Sequence, residues 1–542
     1  MVTLLDYGAG NIRSVRNAIK KLGIEVKDVS EPEDIFTAEK LIFPGVGSFG
    51  LVMTRLAAKG YIEPLIKRIR EDKPFLGICV ALQALYQGSD ESPGINGLGI
   101  IPGQVKRFPE GDLSVPQIGW NNIQLSQETS LMNNYHNEKL YFVHSYYACC
   151  DPLTEKWILS TTDYGLRFVS AIKKGNIAAF QFHPEKSGEA GLKILKNYLA
   201  PAVPDSIVIR TRSIPEEQET KIAKRIIACL DVRTNSRGDL VVTKGDQYDV
   251  KEKGEVRNLG KPVELAKRYY EEGADEIIFL NITGFRDFPM QDQPMLQVLK
   301  KTSENVFVPL TIGGGIKEFI DSDGTSYSAL DVASEYFRSG ADKVSIGSDA
   351  VYTVENFLAS GKKTGTSSIE QISNVYGAQA VVISVDPHRV YVHDPDDTLH
   401  STIKTTILGP EGEEYCWYQC TVKGGREERD IDVIQLTTVC EELGAGEILL
   451  NCIDRDGTNS GFDLELITMV KDTVSIPVIA SSGAGNARHF AEVFAKTDVE
   501  AALAAGIFHR REVAISEVKR KVAADGVEIR LQRDFQALIQ RH

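Results

Sequence analysis

The chain has 542 residues, of which 42% are hydrophobic and 25% are charged, and these proportions are typical of a globular protein. Its formal net charge of −14 argues against a general nucleic-acid or membrane-surface binder. No apolar run reaches the length of a membrane span, and the eight cysteines follow no regular framework, which favours a reducing compartment. The length predicts roughly three domains, or two if one of them is a large barrel.

The first part of the chain alternates between strand-like and helix-like runs. Residues 2–8 are predicted to form a strand, and residues 11–23 an amphipathic helix that Asn11 caps and Gly23 ends. A further strand within 39–50 runs into a glycine-rich turn. This alternation predicts a doubly wound α/β domain, in which helices cover both faces of a parallel sheet and sites lie beyond the carboxyl ends of the strands.

A cysteine stands where a predicted strand, PFLGIC (74–79), meets a predicted helix, VALQALY (80–86). This places Cys79 on a tight elbow at a helix N-terminus, where the helix dipole and free N–H groups favour the thiolate. The alternative for a lone cysteine is a buried core residue. A later stretch, AFQFHPEKSG, favours a nucleophile because it supplies His183 and Glu185 as a base and its orienting carboxylate.

The turn PGVG (44–47) also follows a predicted strand. It could be an ordinary loop, but two glycines beside a nucleophile let the backbone direct N–H groups at a developing oxyanion. Two later stretches, YFVHSYYA (141–148) and NIAAFQFHPEKSG (176–188), are predicted to be paired strands that end on the histidine motif.

Four of these motifs carry a family resemblance. PGVG, GIC followed by LQ, YFVHSY and QFHPEKS, in this order and spacing, resemble the class I glutamine amidotransferases. The PGVG and HPEKSG motifs are most similar to the glutaminase of the imidazole glycerol phosphate synthase family. The resemblance implies that Cys79 attacks the glutamine carboxamide, that His183 acts as base and then protonates the leaving ammonia, and that Glu185 orients His183.

The same resemblance implies further roles around the cysteine. The backbone of Gly45, Val46 and Gly47 would form the oxyanion hole, and Gln83 would help to hold the substrate. The sequence departs from the family at Ala81, where the elbow usually carries glycine. Because alanine adds only one methyl group, we expect the elbow to survive.

A connector is predicted between the two parts of the chain. Residues 199–225 contain three prolines and mixed charge without periodicity. We therefore expect a glutaminase domain over 1–200, a connector over 201–220 and a second domain over 221–542.

The second part repeats itself, which predicts a closed barrel. Four strand-like runs occur twice in the same order, each before a helical segment: 225–232 with 380–387, 273–281 with 444–452, 307–315 with 475–483, and 341–348 with 500–508. Eight strand–helix units are what a (β/α)₈ TIM barrel requires. A doubly wound sheet is the alternative.

Two aspartates end equivalent strands of this repeat. Asp231 and Asp386 are therefore expected to face each other at the carboxyl end of the barrel, an arrangement that suits general acid–base catalysis. Either residue alone could instead cap the next helix.

Glycine-rich turns follow another equivalent pair of strands. Gly314 and Gly315 lie in the first turn, and Ser482 and Gly483 lie in the second. Turns of this kind offer N–H groups to phosphate, so the pair predicts a long substrate with a phosphate at each end.

Four charged residues lie just before apolar strand runs, at the opposite end of the predicted barrel. They are Arg225, Glu276, Lys343 and Glu447. Charges at a barrel floor are costly unless they are paired, and two cations with two anions could satisfy one another. The alternative is a set of ordinary solvated strand starts.

The second part resembles the cyclase of the same family over nearly its full length. The resemblance rests on ACLDVR, DLVVTKGD, GADEIIFLN, GGGIK, GADKVSIGS, VVISVDP, GEILLNCIDRDGTNSG, ASSGAG and AALAAGIFH. Taken whole, the chain resembles the single-chain glutaminase–cyclase form found in eukaryotes. The stretches near 321–329 and 388–420 fall outside the resemblance and read as insertions.

The resemblance implies that ammonia passes the four charged residues, crosses the barrel and meets a bisphosphate ribotide. Asp231 and Asp386 would then handle the protons of ring closure and cleavage. Lys244 is a candidate substrate contact, and Lys186 and Asp342 are candidates for a salt bridge between the two halves.

Two alternatives for the function stay open at this point. An amidotransferase with a nucleotide-synthetase acceptor domain would need an ATP site, but no GxxxxGK[ST] motif occurs. A regulatory pseudoenzyme would follow if Ala81 disabled the elbow.

We expect glutamine and a bisphosphate ribotide as the substrates, and neither a metal nor another cofactor. We expect no nucleic-acid or membrane partner, and we expect the chain to act as a monomer. No signal or transit peptide is visible, which predicts a cytoplasmic enzyme, or a plastid enzyme if a transit peptide has been removed.

Overall fold

The structure is a computed structural model that describes residues 1–8, 10–111, 113–200, 219–234, 240–243, 251–252, 255–256, 260–282, 290, 294–321 and 323–532. Lys244 and most of the predicted connector lie outside the described residues. Within the described ranges, no helix has both the length and the apolar character needed to cross a membrane.

The first part of the chain forms one large sheet, a separate two-stranded sheet and the helices that cover them. The strands are β1 (Val2–Leu4), β2 (Val26–Asp28), β3 (Leu41–Phe43), β4 (Phe75–Ile78), β5 (Gly88–Ser89), β6 (Gln104–Arg107), β7 (Gln117–Asn121), β8 (Gln124–Leu125), β9 (Leu140–His144), β10 (Tyr146–Cys149), β11 (Ile158–Asp163), β12 (Arg167–Lys174) and β13 (Ile177–Phe180). The helices are α1 (Ile12–Lys21), α2 (Pro32–Thr37), α3 (Phe49–Ala58), α4 (Ile62–Arg70), α5 (Val80–Ala84) and α6 (Gly188–Leu199).

The sheet has the strand order β2-β1-β3-β4-β13-β12-β10-β6-β5. Its β2–β13 half is parallel, as the βα alternation predicts, whereas β12 runs antiparallel to both of its neighbours. The first helix begins as predicted, because the Asn11 side chain accepts the Ser14 N–H. Gly23 follows this helix with φ of 78°, a conformation that suits glycine.

The predicted pairing of the 141–148 and 176–188 stretches is wrong. These stretches contain β9, β10 and β13, but β12 lies between β10 and β13 in the sheet, and β9 pairs with β7 in a separate sheet. The physical reason is that the intervening chain forms the antiparallel β11–β12 hairpin, whose second strand occupies the place beside β13.

The described residues of the second part form the barrel and three small sheets. The strands are β14 (Arg225–Thr234), β15 (Leu240–Thr243), β16 (Lys251–Glu252), β17 (Glu255–Val256), β18 (Glu276–Asn281), β19 (Leu310–Gly313), β20 (Phe319–Ile320), β21 (Ser326–Tyr327), β22 (Lys343–Ile346), β23 (Val381–Val385), β24 (Pro387–Val392), β25 (Thr402–Lys404), β26 (Tyr415–Val422), β27 (Glu427–Asp432), β28 (Glu447–Asn451), β29 (Val478–Ser481) and β30 (Ala501–Ala504). The helices are α7 (Pro262–Glu271), α8 (Pro294–Thr302), α9 (Ala329–Ser339), α10 (Ser348–Ser360), α11 (Ser368–Tyr376), α12 (Val433–Glu442), α13 (Leu464–Lys471), α14 (Ala487–Thr497), α15 (Gly506–His509) and α16 (Ile515–Ala524).

The large sheet of this part closes on itself. Its order is β15-β14-β18-β19-β22-β23-β28-β29-β30, and β30 pairs in parallel with β14. Because β15 is an antiparallel addition to β14, the described residues form a closed barrel of eight parallel strands. The predicted TIM barrel is confirmed, and the doubly wound alternative is wrong for this part of the chain.

Alternate residues of each barrel strand serve different cores. On β14, Ile226 and Ala228 belong to the large core between the strands and the helices, whereas Ile227 and Cys229 belong to a small apolar cluster with residues of the other strands. This division follows from the period of two in a strand. The inward residues that six of the eight barrel strands place between the two ends are therefore apolar and packed together.

The two predicted insertions lie beside the carboxyl end of the barrel. The stretch near 321–329 contains the turn and second strand of the hairpin β20–β21, and the stretch 388–420 contributes most of a four-stranded sheet, β24–β27. Both follow barrel strands directly, so both are extensions of the loops that surround the barrel mouth.

The first part of the chain docks against the amino-terminal end of the barrel. The Gly188 N–H donates to the Phe307 carbonyl at 3.0 Å, and the Val115 N–H donates to the Ser475 carbonyl at 2.9 Å. Phe307 and Ser475 each lie just before a barrel strand, β19 and β29. The two halves therefore meet at the end of the barrel that carries the strand starts.

Candidate active sites at the two ends of a closed barrel

Cys79 stands on a sharp turn between β4 and α5. Its φ is 53° and its ψ is −111°, a conformation that costs strain in a residue with a side chain. Strand-to-helix turns of this kind expose a nucleophile at the top of a sheet. Ala81 is fully buried in the first turn of α5, and a Cβ placed on Gly77 would lie 3.3 Å from its methyl group. Gly77 therefore leaves the room that the alanine needs, and the elbow is formed.

His183 and Glu185 complete a buried constellation around the cysteine. The His183 Nδ1 lies 2.8 Å from Glu185 Oε1, and both side chains are buried. Burial disfavours the charged imidazolium, but the charges of Glu185 and Cys79 and a hydrogen bond to Cys79 outweigh it, so the pKa of His183 lies well above its ordinary value. The geometry thus places a cysteine beside a histidine that a carboxylate orients, the arrangement of a thiol nucleophile and its base.

Gln83 reaches the cysteine through a second glutamine. The Gln83 Nε2 donates to the Gln181 Oε1 at 3.2 Å and to the Tyr146 carbonyl at 3.0 Å. The Gln181 Nε2 in turn lies 3.5 Å from the Cys79 sulfur. Gln181 is therefore the side chain of this group that contacts the nucleophile.

The glycine turn lies against the elbow. A Cβ on Gly45 would come within 2.3 Å of the Ile78 carbonyl oxygen, so only glycine fits there. The Val46 N–H donates to the Tyr7 hydroxyl at 2.9 Å, and that hydroxyl donates to the Val46 carbonyl. Gly47 has a φ of +123° and lies beside the barrel half of the chain. A Cβ placed on Gly47 would lie 3.3 Å from the Val375 carbonyl oxygen. The glycine turn therefore lies beside the cysteine, but the Val46 N–H in this turn is already engaged in a hydrogen bond to the Tyr7 hydroxyl.

Lys186 and Asp342 form the predicted bridge between the two halves. The Lys186 Nζ lies 2.6 Å from Asp342 Oδ2, and the lysine is buried. Asn11 donates to the other carboxylate oxygen at 2.8 Å. Because Lys186 follows Glu185 directly, this bridge ties the catalytic motif to the start of β22.

The four charged residues at the barrel floor form one closed ring, which we call the charged ring: Arg225, Glu276, Lys343 and Glu447. Arg225 lies 2.8 Å from Glu276, Lys343 lies 2.7 Å from Glu276 and 2.5 Å from Glu447, and Arg225 also pairs with Glu447. All four are at most 1% exposed. Burial opposes the charge of Glu447, but the two cations outweigh burial and hold its pKa below the ordinary value. The alternative of solvated strand starts is wrong.

The charged ring faces the glutaminase half. Tyr141 is buried, its backbone carbonyl accepts the His183 N–H at 2.9 Å, and burial raises the pKa of its hydroxyl well above the ordinary value. The charges of Glu276 and Arg225 act on the same hydroxyl. Tyr141 is therefore hydrogen-bonded to His183 through its backbone and lies within electrostatic range of the ring through its side chain.

The other end of the barrel holds a cavity of about 1110 Å³. Asp231 and Asp386 both line it, as do the two glycine-rich turns, with Gly314, Gly315, Ser482 and Gly483. Glycine is needed in both turns: a Cβ on Gly314 would come within 2.2 Å of the Asn281 carbonyl, and one on Gly483 within 2.2 Å of the Gly461 carbonyl. The repeat thus places two carboxylates and two sets of backbone turns around one pocket.

Burial raises the pKa of Asp386 above its ordinary value, although the Asn451 side chain donates to its carboxylate and opposes this shift. A raised pKa at a carboxyl group in a pocket is typical of a group that takes part in proton transfer.

Comparison with known proteins identifies both halves. Residues 3–201 match the family described as "Glutamine amidotransferase class-I", and residues 225–514 match the family described as "Histidine biosynthesis protein". The chain is 58% identical to a protein of Arabidopsis thaliana named "Imidazole glycerol phosphate synthase hisHF, chloroplastic", over 98% of this chain and 90% of the relative. It is 56% identical to the hisHF protein of Schizosaccharomyces pombe, over 98% of this chain and all of the relative.

The chain belongs to the imidazole glycerol phosphate synthase family. Its second half alone is similar to the separate HisF subunit of Methanobrevibacter smithii, with 40% identity over 57% of this chain and all of that subunit. The chain is therefore an enzyme in which a glutamine amidotransferase is fused to the cyclase of histidine biosynthesis. The alternative of a nucleotide-synthetase acceptor domain is wrong.

Three residues that contact the two sites were not predicted from the sequence: Gln181, Tyr7 and Asn451. Gln181 precedes His183 by two positions, and this spacing could have indicated its place on the cysteine. Tyr7 and Asn451 carry no such signal, because each meets its partner only across the fold.

Proposed function

We propose that this chain hydrolyses glutamine at Cys79 and passes the ammonia through its own barrel to a bisphosphate ribotide at the opposite mouth. The products there would be imidazole glycerol phosphate and the aminoimidazole carboxamide ribotide. The observation that carries the proposal is the order of parts: the thiol site, the charged ring, the apolar barrel interior and the two-aspartate cavity follow one another.

The glutaminase step is covalent. The Cys79 thiolate attacks the carboxamide carbon, and the charge moves to the oxygen, where N–H groups of the Gly45–Gly47 turn would receive it. His183 gives its proton to the leaving nitrogen, which departs as ammonia, and a glutamyl thioester remains. His183 then takes a proton from water, the hydroxide attacks the thioester carbon, and the C–S bond breaks to release glutamate and restore the thiolate beside the protonated His183.

The passage follows one face of β14. Residues two apart on a strand share a face, so Arg225 of the charged ring, Ile227, Cys229 and Asp231 form one inward row. Six residues of strand span about 20 Å. The middle of the row belongs to the apolar interior cluster, which favours neutral ammonia over ammonium because a bare buried cation is costly.

At the far mouth the two phosphates would bind the two glycine-rich turns. The substrate would then lie between Asp231 and Asp386, which exchange the protons of ring closure and cleavage. The substrate carries its own carbonyl and amine chemistry, so these steps need only positioned carboxyl groups and a supply of ammonia.

An isotope experiment tests the transfer. The full chain is given glutamine labelled with ¹⁵N in the amide, the bisphosphate ribotide and an excess of unlabelled ammonium. Internal transfer predicts that the imidazole product carries the label. If the ¹⁵N fraction of the product equals that of the ammonia in the surrounding solution, internal transfer is refuted.

Two variants separate the sites. Cys79→Ala is expected to abolish the use of glutamine while free ammonia remains usable. Asp386→Asn is expected to abolish synthesis from either nitrogen source while the thiol site stays intact, as read by alkylation of Cys79. Loss of ammonia-dependent synthesis in Cys79→Ala would contradict the two-site scheme.

We also propose that the fused chain acts as a monomer, because both sites lie within one polypeptide. Sedimentation equilibrium tests this, and a stable dimer would contradict it.

For the compartment we propose the cytoplasm or a plastid; one relative is named chloroplastic. Imaging of a tagged chain in its own cells distinguishes the two.

A further inference from the structure

Asn451 touches the carboxylate of one of the two aspartates. It is the last residue of β28, and its Nδ2 donates to Asp386 Oδ1 at 2.9 Å and to the Ser384 hydroxyl at 3.0 Å. Asn451, Asp386 and Ser384 all line the large cavity. The amide is therefore held on two sides, and one of its N–H groups is directed at the carboxylate.

The internal repeat makes this contact informative. On the first half, Asp231 is in register with Leu280 of the next strand. On the second half, Val385 is in register with Leu450, which places Asp386 opposite Asn451. The duplication thus kept the aspartate in both halves but gave its neighbour an apolar side chain in one half and an amide in the other.

We propose that Asn451 is a positioning residue that holds Asp386 as an oriented carboxylate toward the ribotide. The inference rests on the proposed role of Asp386. An amide N–H that donates to a carboxylate favours its charged form and fixes its rotamer.

The surroundings of Asp386 explain why it needs such a donor. Burial and the carboxylate of Asp456 both disfavour its charge. From β26, Cys420 lies within electrostatic range, and Thr421 donates its hydroxyl to the Asp386 backbone carbonyl at 2.8 Å, which fixes the peptide but not the carboxylate. Asp231 lines the same cavity. Asn451 is thus the donor that offsets two unfavourable influences.

The test is the pH profile of ammonia-dependent synthesis by the full chain, with rates referred to the concentration of NH₃ at each pH. Asn451→Leu reproduces the side chain of the first half. Because the donor is lost, we expect the acid limb to move up by about one pH unit, so that kcat at a pH on that limb falls about tenfold. The KM for the ribotide should stay within about twofold, since Asn451 is not proposed to bind it.

The second variant is Asn451→Asp, in which the aspartate side chain has nearly the same shape as the asparagine that it replaces. A second carboxyl group beside Asp386 should move the acid limb further up than leucine does, because like charges disfavour ionisation. Native-state hydrogen exchange of peptides from β23 and β28 at the level of the parent chain shows that the barrel of each variant is folded. If leucine disrupts folding, the aspartate variant alone decides.

Two outcomes would overturn the inference. One is an unchanged acid limb in the folded variants, and the other is a raised KM with unchanged kcat. Asp386→Asn separates this failure from failure of the proposed function: if that variant keeps the synthase reaction, the role of Asp386 is itself wrong. If Asp386→Asn is inactive and Asn451→Leu is normal, only the role of Asn451 is lost.

Discussion

The charged ring makes a sharp prediction about stability. Glu447 is fully buried and pairs with both Arg225 and Lys343. The change Glu447→Gln keeps the shape of the side chain but removes its charge, so two buried cations would remain beside a single anion, Glu276. We expect this variant to destabilise the barrel strongly.

The magnitude follows from the geometry. Two unit charges about 4 Å apart attract by about 4 kcal/mol at an effective dielectric constant of 20, and Glu447 makes two such pairs. The cost of removing one carboxylate from water, several kcal/mol, is recovered in the variant. The net loss of unfolding free energy should therefore be about 3–5 kcal/mol, as is typical when one partner of a buried pair is removed.

The assay must report on the barrel alone, because a two-domain chain does not unfold in one step. Native-state hydrogen exchange of peptides from β14 and β28 gives the opening free energy of the barrel strands. The double variant Glu447→Gln with Lys343→Met leaves Arg225 and Glu276 as a balanced pair, so it should lose less than Glu447→Gln alone. A loss below about 1 kcal/mol in the single variant would refute the reasoning, and so would a double variant that is less stable than the single one.

Four further predictions concern the glutaminase half. Glu185→Gln removes the charge that raises the pKa of His183, so the imidazole pKa should fall, as followed by ¹⁵N NMR of the full chain; an unchanged value would contradict the pairing. Gly45→Ala puts a Cβ into backbone atoms and should lower glutamine hydrolysis on the order of a hundredfold, while ammonia-dependent synthesis persists. Tyr7→Phe removes the hydroxyl that engages the oxyanion turn, so hydrolysis of glutamine without ribotide should rise; no change would show that the hydroxyl does not restrain the turn. Burial raises the pKa of Glu91 from its ordinary 4.5 to about 7, so the folded chain keeps a proton that the unfolded chain loses, and stability falls as pH rises through this interval. Glu91→Gln should remove that loss of stability. Urea titrations at pH 5 and pH 8 measure the difference in unfolding free energy between variant and parent, and an equal difference at the two pH values would contradict the prediction.

The sequence predicts the architecture well because its signals are local. Apolar alternation gives the strands, and glycine and proline give their ends, so the eight barrel strands and the elbow at Cys79 follow from short windows. The duplication adds a constraint that a single window lacks, since the same order of runs has to close in the same way twice. The prediction fails where a distant hairpin competes for a place in the sheet, as β12 does beside β13.

The site is predictable to the extent that one motif contains its chemistry. His183 and Glu185 lie two residues apart, so their contact is a local matter. Lys343 and Glu447 lie 104 residues apart, and their sequence positions suggest only a shared end of the barrel, not a closed ring. The same holds for Tyr7 and Val46, 39 residues apart, whose hydrogen bond engages a backbone N–H of the glycine turn.

The amino-acid order alone predicts the two folds, a candidate nucleophile and the pair of aspartates, because hydrophobic periodicity and residue type act over a few positions, and the family resemblance adds the end of the barrel that receives the glutaminase half. Only the tertiary structure decided which individual charges of the ring contact one another, that Tyr7 engages the Val46 N–H, and that Asn451 rather than a leucine faces Asp386. These outcomes depend on strand register and on the angle between packed elements, and both are set by the whole core rather than by any neighbouring residues.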